Sequence, residues 1–265
     1  MTYLLAITIS SCVKDQIPNT KPPVNNNYKI AEVVVGSTSN KLAIYSTSDS
    51  LFVGYNPLIF VITDTITKTI ISNASISIKP IMDMMSMKHS CPVDQPAYND
   101  AEKSYTGAAA FIMATQGAMG WTIEITTTIN GTSYNNIIPI EVKATPSSIK
   151  LIASVKDQNN VFHYITLVHP QKPEQKVGLN DLQVAIYKRE NMMSFPPVDG
   201  MTVSFIPTMP SMGHDSPNNV NPVGIGNGHY KGKVNFSMTG DWRLTFTLIG
   251  NGSSFTDNPY LDVLF

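Results

Sequence analysis

The chain has 265 residues, 18 of them basic and 19 acidic, and a formal net charge of −1. This balance offers no basic face for a nucleic acid, so we expect no nucleic-acid partner. Charged residues make up only 14% of the chain, which excludes a coiled coil or a salt-bridged helical bundle. Two cysteines exclude a disulfide framework, and the length predicts two domains.

The first twelve residues, MTYLLAITISSC, contain a short apolar run, two small residues and then a cysteine. An apolar run closed by small residues is typical of a secretory signal. The cysteine that follows resembles the lipobox of bacterial lipoproteins, which implies that Cys12 is lipidated and becomes the mature N-terminus. No Lys or Arg precedes the run. A misplaced start, a weak signal, and an N-terminal strand with a buried cysteine therefore stay open.

Residues 13–38 are predicted to be a linker. Their first part, VKDQIPNTKPPVNNN, is rich in Pro and Asn and has no hydrophobic period, which is typical of a tether. With Cys12 as its anchor, the chain is predicted to lie in the bacterial cell envelope. The lipid would be its only attachment to the membrane, and the outer membrane, the periplasmic face and the cell surface stay open as locations.

The rest of the chain consists of two similar halves. The block V-G-x-N-x-L occurs at 53–58 and again at 177–182, and a Met/His block occurs at 84–92 and 209–217. Blocks with the pattern Y-x-G-x-x-x-F-x-M and then a Trp follow in both halves. The repeated order indicates a tandem duplication of a unit of roughly 110 residues. It predicts domains at 39–145 and 146–265.

The segments WTIEITTTI, WRLTFTLI and MTVSFIP alternate apolar and polar residues, as β-strands do. Ala108–Ala114 alone could form a helix, but its counterpart KVNFSM alternates, so we expect a strand at both places. Short strands separated by turn residues favour an all-β chain of two immunoglobulin-like antiparallel β-sandwich domains in tandem. Trp121 and Trp242 are predicted to anchor the two cores, and the Gly of each Y-x-G to allow a bulge or a close backbone approach.

The order of these blocks resembles the YtkA-like and FixH-like domains, which are small β-sandwich modules of bacterial envelope proteins. The second half, with MPSMGH and GHYKGKVNFSMTGDW, fits better than the first, which has MMSMKHSCP in place of the first motif. The resemblance implies the same sandwich fold in both halves. Some members of these families are accessories in copper handling, so it also implies a role of that kind.

The Met/His blocks are candidate metal sites, because thioether sulfur and imidazole together suit Cu(I). Pro210 favours a turn that brings Met209 and Met212 within about 7 Å at their Cα atoms. Cys91 and His229 are possible extra ligands, whereas His163 and His169 are predicted to be ordinary surface or loop residues. The predicted ligands are Met84, Met87 and His89 in the first half, and Met209, Met212 and His214 in the second.

Two alternatives to metal binding stay open, namely Met-rich loops that only fill the core and a Met-lined surface for a protein. No nucleophile–base pattern, phosphate-binding loop or HExxH helix occurs in the sequence, so we predict no enzyme. Two functions remain. The first is a lipid-anchored protein that binds Cu(I) and delivers it to an envelope partner. The second is a non-catalytic binding or spacer module that contacts another envelope protein or a glycan.

Overall fold

The computed structural model describes residues 27–117, 119–146, 149–250, 253–255 and 257–265. The predicted signal 1–12, with Cys12, and residues 13–26 of the predicted linker lie outside these ranges. Within them every regular element is a β-strand and no α-helix occurs, which confirms the all-β prediction. A search of the same residues for a helix long and apolar enough to cross a membrane finds none.

The first half of the described chain, here called the first module, contains these strands: β1 (Tyr28–Val34), β2 (Asn40–Ser46), β3 (Leu51–Phe52), β4 (Gly54–Asp64), β5 (Ser75–Asp83), β6 (Lys88–His89), β7 (Val93–Asn99), β8 (Ser104–Phe111), β9 (Gly120–Ile129), β10 (Thr132–Ile140) and β11 (Val142–Lys143). Strands β1, β2, β4, β8 and β7 form one antiparallel sheet in that order. Strands β10, β9, β5 and β6 form the other, and β11 pairs with β3 in parallel.

The second half, here called the second module, contains these strands: β12 (Ile152–Lys156), β13 (Phe162–His169), β14 (Gly178–Lys188), β15 (Met201–Met209), β16 (His214–Asp215), β17 (Val220–Gly226), β18 (His229–Phe236), β19 (Asp241–Gly250), β20 (Ser253–Ser254) and β21 (Tyr260–Leu264). One sheet has the order β12, β13, β14, β18, β17. The other has the order β16, β15, β19, β20, with β21 also paired to β19.

The two modules therefore repeat one strand order. The sheet β1-β2-β4-β8-β7 corresponds to β12-β13-β14-β18-β17, and the row β6-β5-β9 corresponds to β16-β15-β19. Each module has its own apolar core between its two sheets, with Trp121 in one and Trp242 in the other, each 1% exposed. The predicted fold of two immunoglobulin-like sandwiches is confirmed, as is the core position of both tryptophans.

The linker prediction does not hold for its last part. Tyr28–Val34 form β1, in which Tyr28 pairs with Ser46 of β2, so the first sandwich includes residues before 39. This strand lies at the edge of its sheet, most of its side chains are exposed, and its register shifts between Lys29 and Ala31. An exposed edge strand with a register shift has little alternation of apolar and polar residues. The pattern that predicts strands from sequence is therefore weak here.

The repeated blocks have matching structural roles in the two modules. The Asn56 side chain donates to the carbonyls of Phe52 (2.7 Å) and Gly54 (2.8 Å) and accepts from the Phe52 amide. In the second module Asn180 makes the same three bonds with Lys176 and Gly178. The Asn of V-G-x-N thus holds the loop that leads into β4 or β14.

The Tyr of each Y-x-G block connects its sheet to the opposite one. The Tyr105 hydroxyl donates to the Ile71 carbonyl (3.1 Å) and accepts from the Ala74 amide (2.9 Å). The Tyr230 hydroxyl makes the equivalent bonds, with Val198 (2.8 Å) and Met201 (3.1 Å). Each tyrosine therefore holds the loop that precedes β5 or β15.

The Gly of each Y-x-G block lies against the backbone of the neighbouring edge strand. A Cβ at Gly107 would come 2.6 Å from the Asp94 carbonyl oxygen, and one at Gly232 would meet the Val220 carbonyl oxygen. The register shifts at the same places, between Asp94 and Ala97 and after Val220. The predicted close backbone approach is confirmed in both modules.

Candidate metal centre

His89 lies in a row of three buried side chains in the first module. It opposes Met82 across β6 and β5, and Met82 opposes Trp121 across β5 and β9. Directly opposed residues share a face of a sheet, so the three side chains stand side by side. His89 is 3% exposed and Met82 is fully buried. The His89 ring meets the Trp121 ring edge-on, with centroids 5.3 Å apart.

Met113 approaches the same histidine from the end of β8. Its Sδ lies 3.1 Å from Nε2 of His89, while the Trp121 indole N–H donates to the Met113 carbonyl (3.0 Å). Trp121 therefore positions both groups, since its ring supports the imidazole and its N–H holds the backbone that carries the sulfur. We call these three residues the His–Trp–Met site of the first module.

The other ring nitrogen of His89 defines the chemistry of this contact. Nδ1 lies 3.0 Å from the Ser90 carbonyl oxygen, which can only accept, so Nδ1 carries a proton. In the neutral imidazole Nε2 then has a free lone pair, and it faces a thioether sulfur that also has only lone pairs to offer. An imidazole nitrogen and a thioether sulfur in contact are a pair of donors that a soft cation could accept.

The second module repeats the arrangement in a more open form. His214 opposes Met209, its ring centroid lies 5.6 Å from that of Trp242, and the Trp242 N–H donates to the Met238 carbonyl (2.9 Å). Nδ1 of His214 lies 2.9 Å from the Asp215 carbonyl oxygen, so Nε2 is again free. His214 is partly exposed at the wall of an open depression, and the Met238 side chain is 38% exposed.

The predicted methionines take different positions. Met209 is 1% exposed, and the amide of Met212 donates to its carbonyl (3.1 Å), so the predicted turn is present. The Met212 side chain is 60% exposed. In the first module Met84 is half-buried against the core, Met87 is 53% exposed, and the Met84 amide donates to the Met87 carbonyl (2.9 Å).

The strand register gives Met82, rather than Met84, the position that Met209 has in the second module. Both residues oppose the histidine of their module, Met82 opposing His89 and Met209 opposing His214. The connection between methionine and histidine is 83–88 in the first module and 210–213 in the second. Aligning the two halves at a constant offset pairs Met84 with Met209, because such an alignment does not allow for the longer turn of the first module.

Two further predicted ligands are not brought to these sites as free donors. Cys91 is 2% exposed in the core, and burial raises the pKa of its thiol well above the usual value, which disfavours the thiolate that binds metals. His229, predicted as an extra ligand beside His214, instead donates from Nε2 to Asp94 of the first module (2.9 Å). His163, predicted to be a surface or loop residue, lies in β13 and is 2% exposed, and burial lowers its pKa.

Asp94 is the centre of a polar joint between the modules. Its carboxylate accepts hydrogen bonds from the hydroxyls of Tyr55 (2.6 Å) and Tyr187 (2.8 Å) and from His229, whose Nδ1 faces the Gln183 amide nitrogen (2.9 Å). Burial acts to raise the pKa of Asp94, but these donated bonds outweigh it and hold the pKa below its usual value. Burial and the Asp94 charge raise the pKa of Tyr187.

An apolar cluster lies beside this polar joint. Tyr164, Val168, Ala185, Tyr187 and Phe195 of the second module form it, and Tyr55 and Ile112 of the first module pack against it. Ile112 directly precedes Met113, so the first module's His–Trp–Met site lies next to the contact between the modules.

The donors present fit a soft ion better than a hard one. Within the described ranges no group of three or more His, Cys, Asp or Glu is placed to hold a metal ion. The donors that do come together, His89 and Met113, are an imidazole and a thioether. With metal–ligand distances like those of zinc, about 2.0 Å to nitrogen and about 2.3 Å to sulfur, tetrahedral donors lie about 3.5 Å apart. The 3.1 Å between His89 and Met113 is close to that separation.

Met113 and Met238 were not among the ligands predicted from the sequence. The signal was present, since both close the repeated block Y-x-G-x-x-x-F-x-M. Spacing along the chain selects only methionines near the histidines, whereas the segment after β8 brings Met113 to His89 from 24 residues away.

Residues 157–247 match the model of the YtkA-like family. The match covers most of the second module, and it confirms for that half the YtkA-like part of the resemblance that the sequence blocks indicated. A comparison with curated proteins finds no match.

Three solved structures illustrate the likeness of the fold. The Escherichia coli adhesin FdeC is 17% identical with a TM-score of 0.26, and the match covers 88% of this chain and 66% of that one. Invasin, a bacterial integrin-binding protein, is 13% identical with a TM-score of 0.26, covering 84% and 39%. Domains 5–6 of the S-layer protein SbsC are 14% identical with a TM-score of 0.28, covering 90% and 99%. Likeness at this level carries no argument about what the chain binds.

Proposed function

We propose that the chain is a non-catalytic protein of the bacterial envelope, attached through a lipid on Cys12, that binds Cu(I) and passes it to an envelope partner. The first module's His–Trp–Met site would hold the ion through Nε2 of His89 and Sδ of Met113. The equivalent site of the second module would use His214 and Met238, and Met84, Met87, Met209 and Met212 stand next to the two histidines along the chain or across the strands.

The contact between Nε2 of His89 and Sδ of Met113 carries this proposal. Both atoms can offer lone pairs, they lie 3.1 Å apart, and His89 is 3% exposed. A soft monovalent cation between them would relieve that arrangement, because imidazole and thioether are ligands that Cu(I) accepts. The recurrence of the histidine, tryptophan and methionine in the second module supports the same interpretation.

Thioether ligands favour exchange with a partner, because an uncharged sulfur binds the ion less tightly than a thiolate does. The buried thiol of Cys91 has a raised pKa, and the available sulfurs are the uncharged thioethers. Met87 and Met212 expose more than half of their side chains beside the two histidines, where they could receive an ion from solution or from a partner. Uncharged ligands favour transfer over permanent storage.

The test is a titration of the full chain carrying Cys12→Ser with Cu(I), under reducing conditions and against a competing chelator. We expect uptake of one or two ions per chain. His89→Phe, which keeps a ring against Trp121, and Met113→Leu, which keeps the volume, should each abolish uptake at the first site. Met85→Leu and His169→Phe are matched controls, because Met85 is 80% exposed and His169 lies on the surface.

Full Cu(I) affinity in the combined His89→Phe, Met113→Leu, His214→Phe variant would contradict the site assignment. No uptake by the unaltered chain would contradict the proposal as a whole. The absence of uptake would favour the second candidate, a binding or spacer module that contacts another envelope protein or a glycan. The specific observation behind this candidate is the complete burial of Met82 and the 1% exposure of Met209, which fit a purely packing role for part of the Met-rich segments.

A further inference from the structure

The first module's site lies where the second module touches the first. The residue after His89 is Ser90, whose amide donates to the carbonyl of Met192 in the second module (2.8 Å). The residue before Met113 is Ile112, which packs against the apolar cluster of the joint. Both proposed ligands are therefore next in sequence to a residue that contacts the second module.

The segment of the second module that lies here contains two methionines. Residues 190–194, Glu-Asn-Met-Met-Ser, form a tight turn in which Asn191 pairs with Ser194 and the Met193 amide donates to the Asn191 side chain (2.8 Å). The corresponding connection of the first module, residues 65–74, contains no methionine. The two methionines thus occur in the second module's turn, which contacts the neighbouring module, and not in the equivalent turn of the first module.

The backbone bond limits how far Met192 can be from His89. Standard bond lengths and a 2.8 Å hydrogen bond place the two Cα atoms at most about 8 Å apart. The Met192 side chain is 40% exposed, so no core holds it, and methionine has three rotatable side-chain bonds. Its sulfur can therefore reach toward the pair formed by His89 and Met113.

We infer that Met192 supplies a third soft ligand to the first module's site, which is then shared between the two modules. This inference rests on the proposed function, and it adds that the ion is held only while the modules stay docked. The joint at Asp94, which links Tyr55 to Tyr187 and His229, would then control how firmly the first site retains its ion.

The test uses Met192→Leu in the full chain, with Cys12→Ser and with His214→Phe to remove the second site. We expect Cu(I) affinity to fall at least about tenfold, since even outer partners of a metal ligand cost that much. X-ray absorption at the copper edge should show one sulfur neighbour fewer. Met193→Leu, at the next position of the same turn, is the matched control and should leave both values unchanged.

The outcomes separate this inference from the proposed function. If the parent chain takes up no Cu(I), both fail. If it takes up Cu(I) and His89→Phe abolishes uptake, but Met192→Leu changes neither the affinity nor the sulfur count, only the shared site is overturned. A loss with Met193→Leu instead of Met192→Leu would also overturn it. Thermal unfolding midpoints of both variants equal to that of the parent would show that neither substitution acts by destabilising the fold.

Discussion

The outer faces of β8 and β18 differ although the two strands have the same place in their modules. Ala108 and Ala110 of β8 point away from the first core and are still only 1% exposed. The equivalent positions of β18 hold Lys233, which forms an ion pair with Asp181, and Asn235. One copy thus buries a small-residue face at the joint, while the other keeps a charged face in solvent.

The partners of these strands differ in the same way. Asp94, opposite Ala108, receives three side-chain hydrogen bonds, whereas Val220, opposite Lys233, is 54% exposed. Tyr55, opposite Ala110, reaches Asp94, whereas Leu179, opposite Asn235, is 50% exposed. The two copies share their internal framework and differ where one of them meets its neighbour.

The candidate sites follow this difference. The site next to the joint has a histidine that is 3% exposed and in contact with sulfur, while His214, away from the joint, is partly exposed. If the difference arises from the contact between the modules, equivalent substitutions in the shared framework should destabilise both modules equally. Equivalent substitutions at the joint should destabilise one module more than the other.

The largest effect is expected from Trp121→Ala and Trp242→Ala. Each removes a fully buried indole and should cost about 3–5 kcal/mol in the free energy of unfolding, measured with urea. Because both tryptophans belong to the shared framework, the two losses should be similar. A loss of less than about 1 kcal/mol for one of them, below what such truncations cost, would show that the cores are not equivalent.

Asp94→Ala should cost about 2–3 kcal/mol, because it leaves Tyr55, Tyr187 and His229 without the charged acceptor they share. The bound carboxylate has a lowered pKa, so its contribution is fully present above its unfolded pKa of about 3.9 and is lost as pH falls through the lower folded value. Thermal unfolding of the parent and the variant should therefore converge below about pH 4. Asp181→Ala, on the solvent face, should leave the free energy of unfolding nearly unchanged.

Gly107→Ala and Gly232→Ala should each cost about 1–3 kcal/mol, because the new methyl meets the backbone of the neighbouring strand and a strand has to move. Gly107→Ala acts on the backbone of Asp94 itself, so it should also weaken the joint. We expect a larger loss for Gly107→Ala than for Gly232→Ala in chemical denaturation. Equal losses would contradict the link between this strand and the joint.

The smallest effect is expected from Tyr105→Phe and Tyr230→Phe. Each removes one hydroxyl that makes two hydrogen bonds to loop backbone, and each should cost about 1 kcal/mol. Hydrogen exchange should locate the loosening at the Ala74 amide in one variant and the Met201 amide in the other. Loosening at the Asp94 joint instead would contradict the framework role of these tyrosines.

The sequence predicts the framework well because each module is built from residues repeated in the same order. Tyr105, Gly107 and Trp121 have equivalents in the second half, and each pair has one structural task. The Ala run of β8 shows no alternation because both of its faces are buried, and only the comparison with KVNFSM identifies it as a strand. β1 shows no signal because an exposed edge strand needs no hydrophobic period.

The sites are predicted less completely, because spacing along the chain describes only ligands that share a turn. It predicts His89, His214 and Met84 as ligands, whereas the register places Met82 opposite His89 and the fold brings Met113 to it from 24 residues away. It offers His229 as a possible extra ligand, since nothing in the order of residues shows that Asp94, 135 residues away, is its partner.

The distribution of tryptophan has a practical consequence. The chain contains two tryptophans, and each indole lies against the histidine of one candidate site. Tryptophan fluorescence is therefore resolved by module, since Trp121→Phe leaves only the indole emission of the second sandwich and Trp242→Phe leaves only that of the first. If the chain binds Cu(I) as proposed, stepwise quenching in such a pair of variants would report the order in which the two candidate sites take up the ion, without any attached dye.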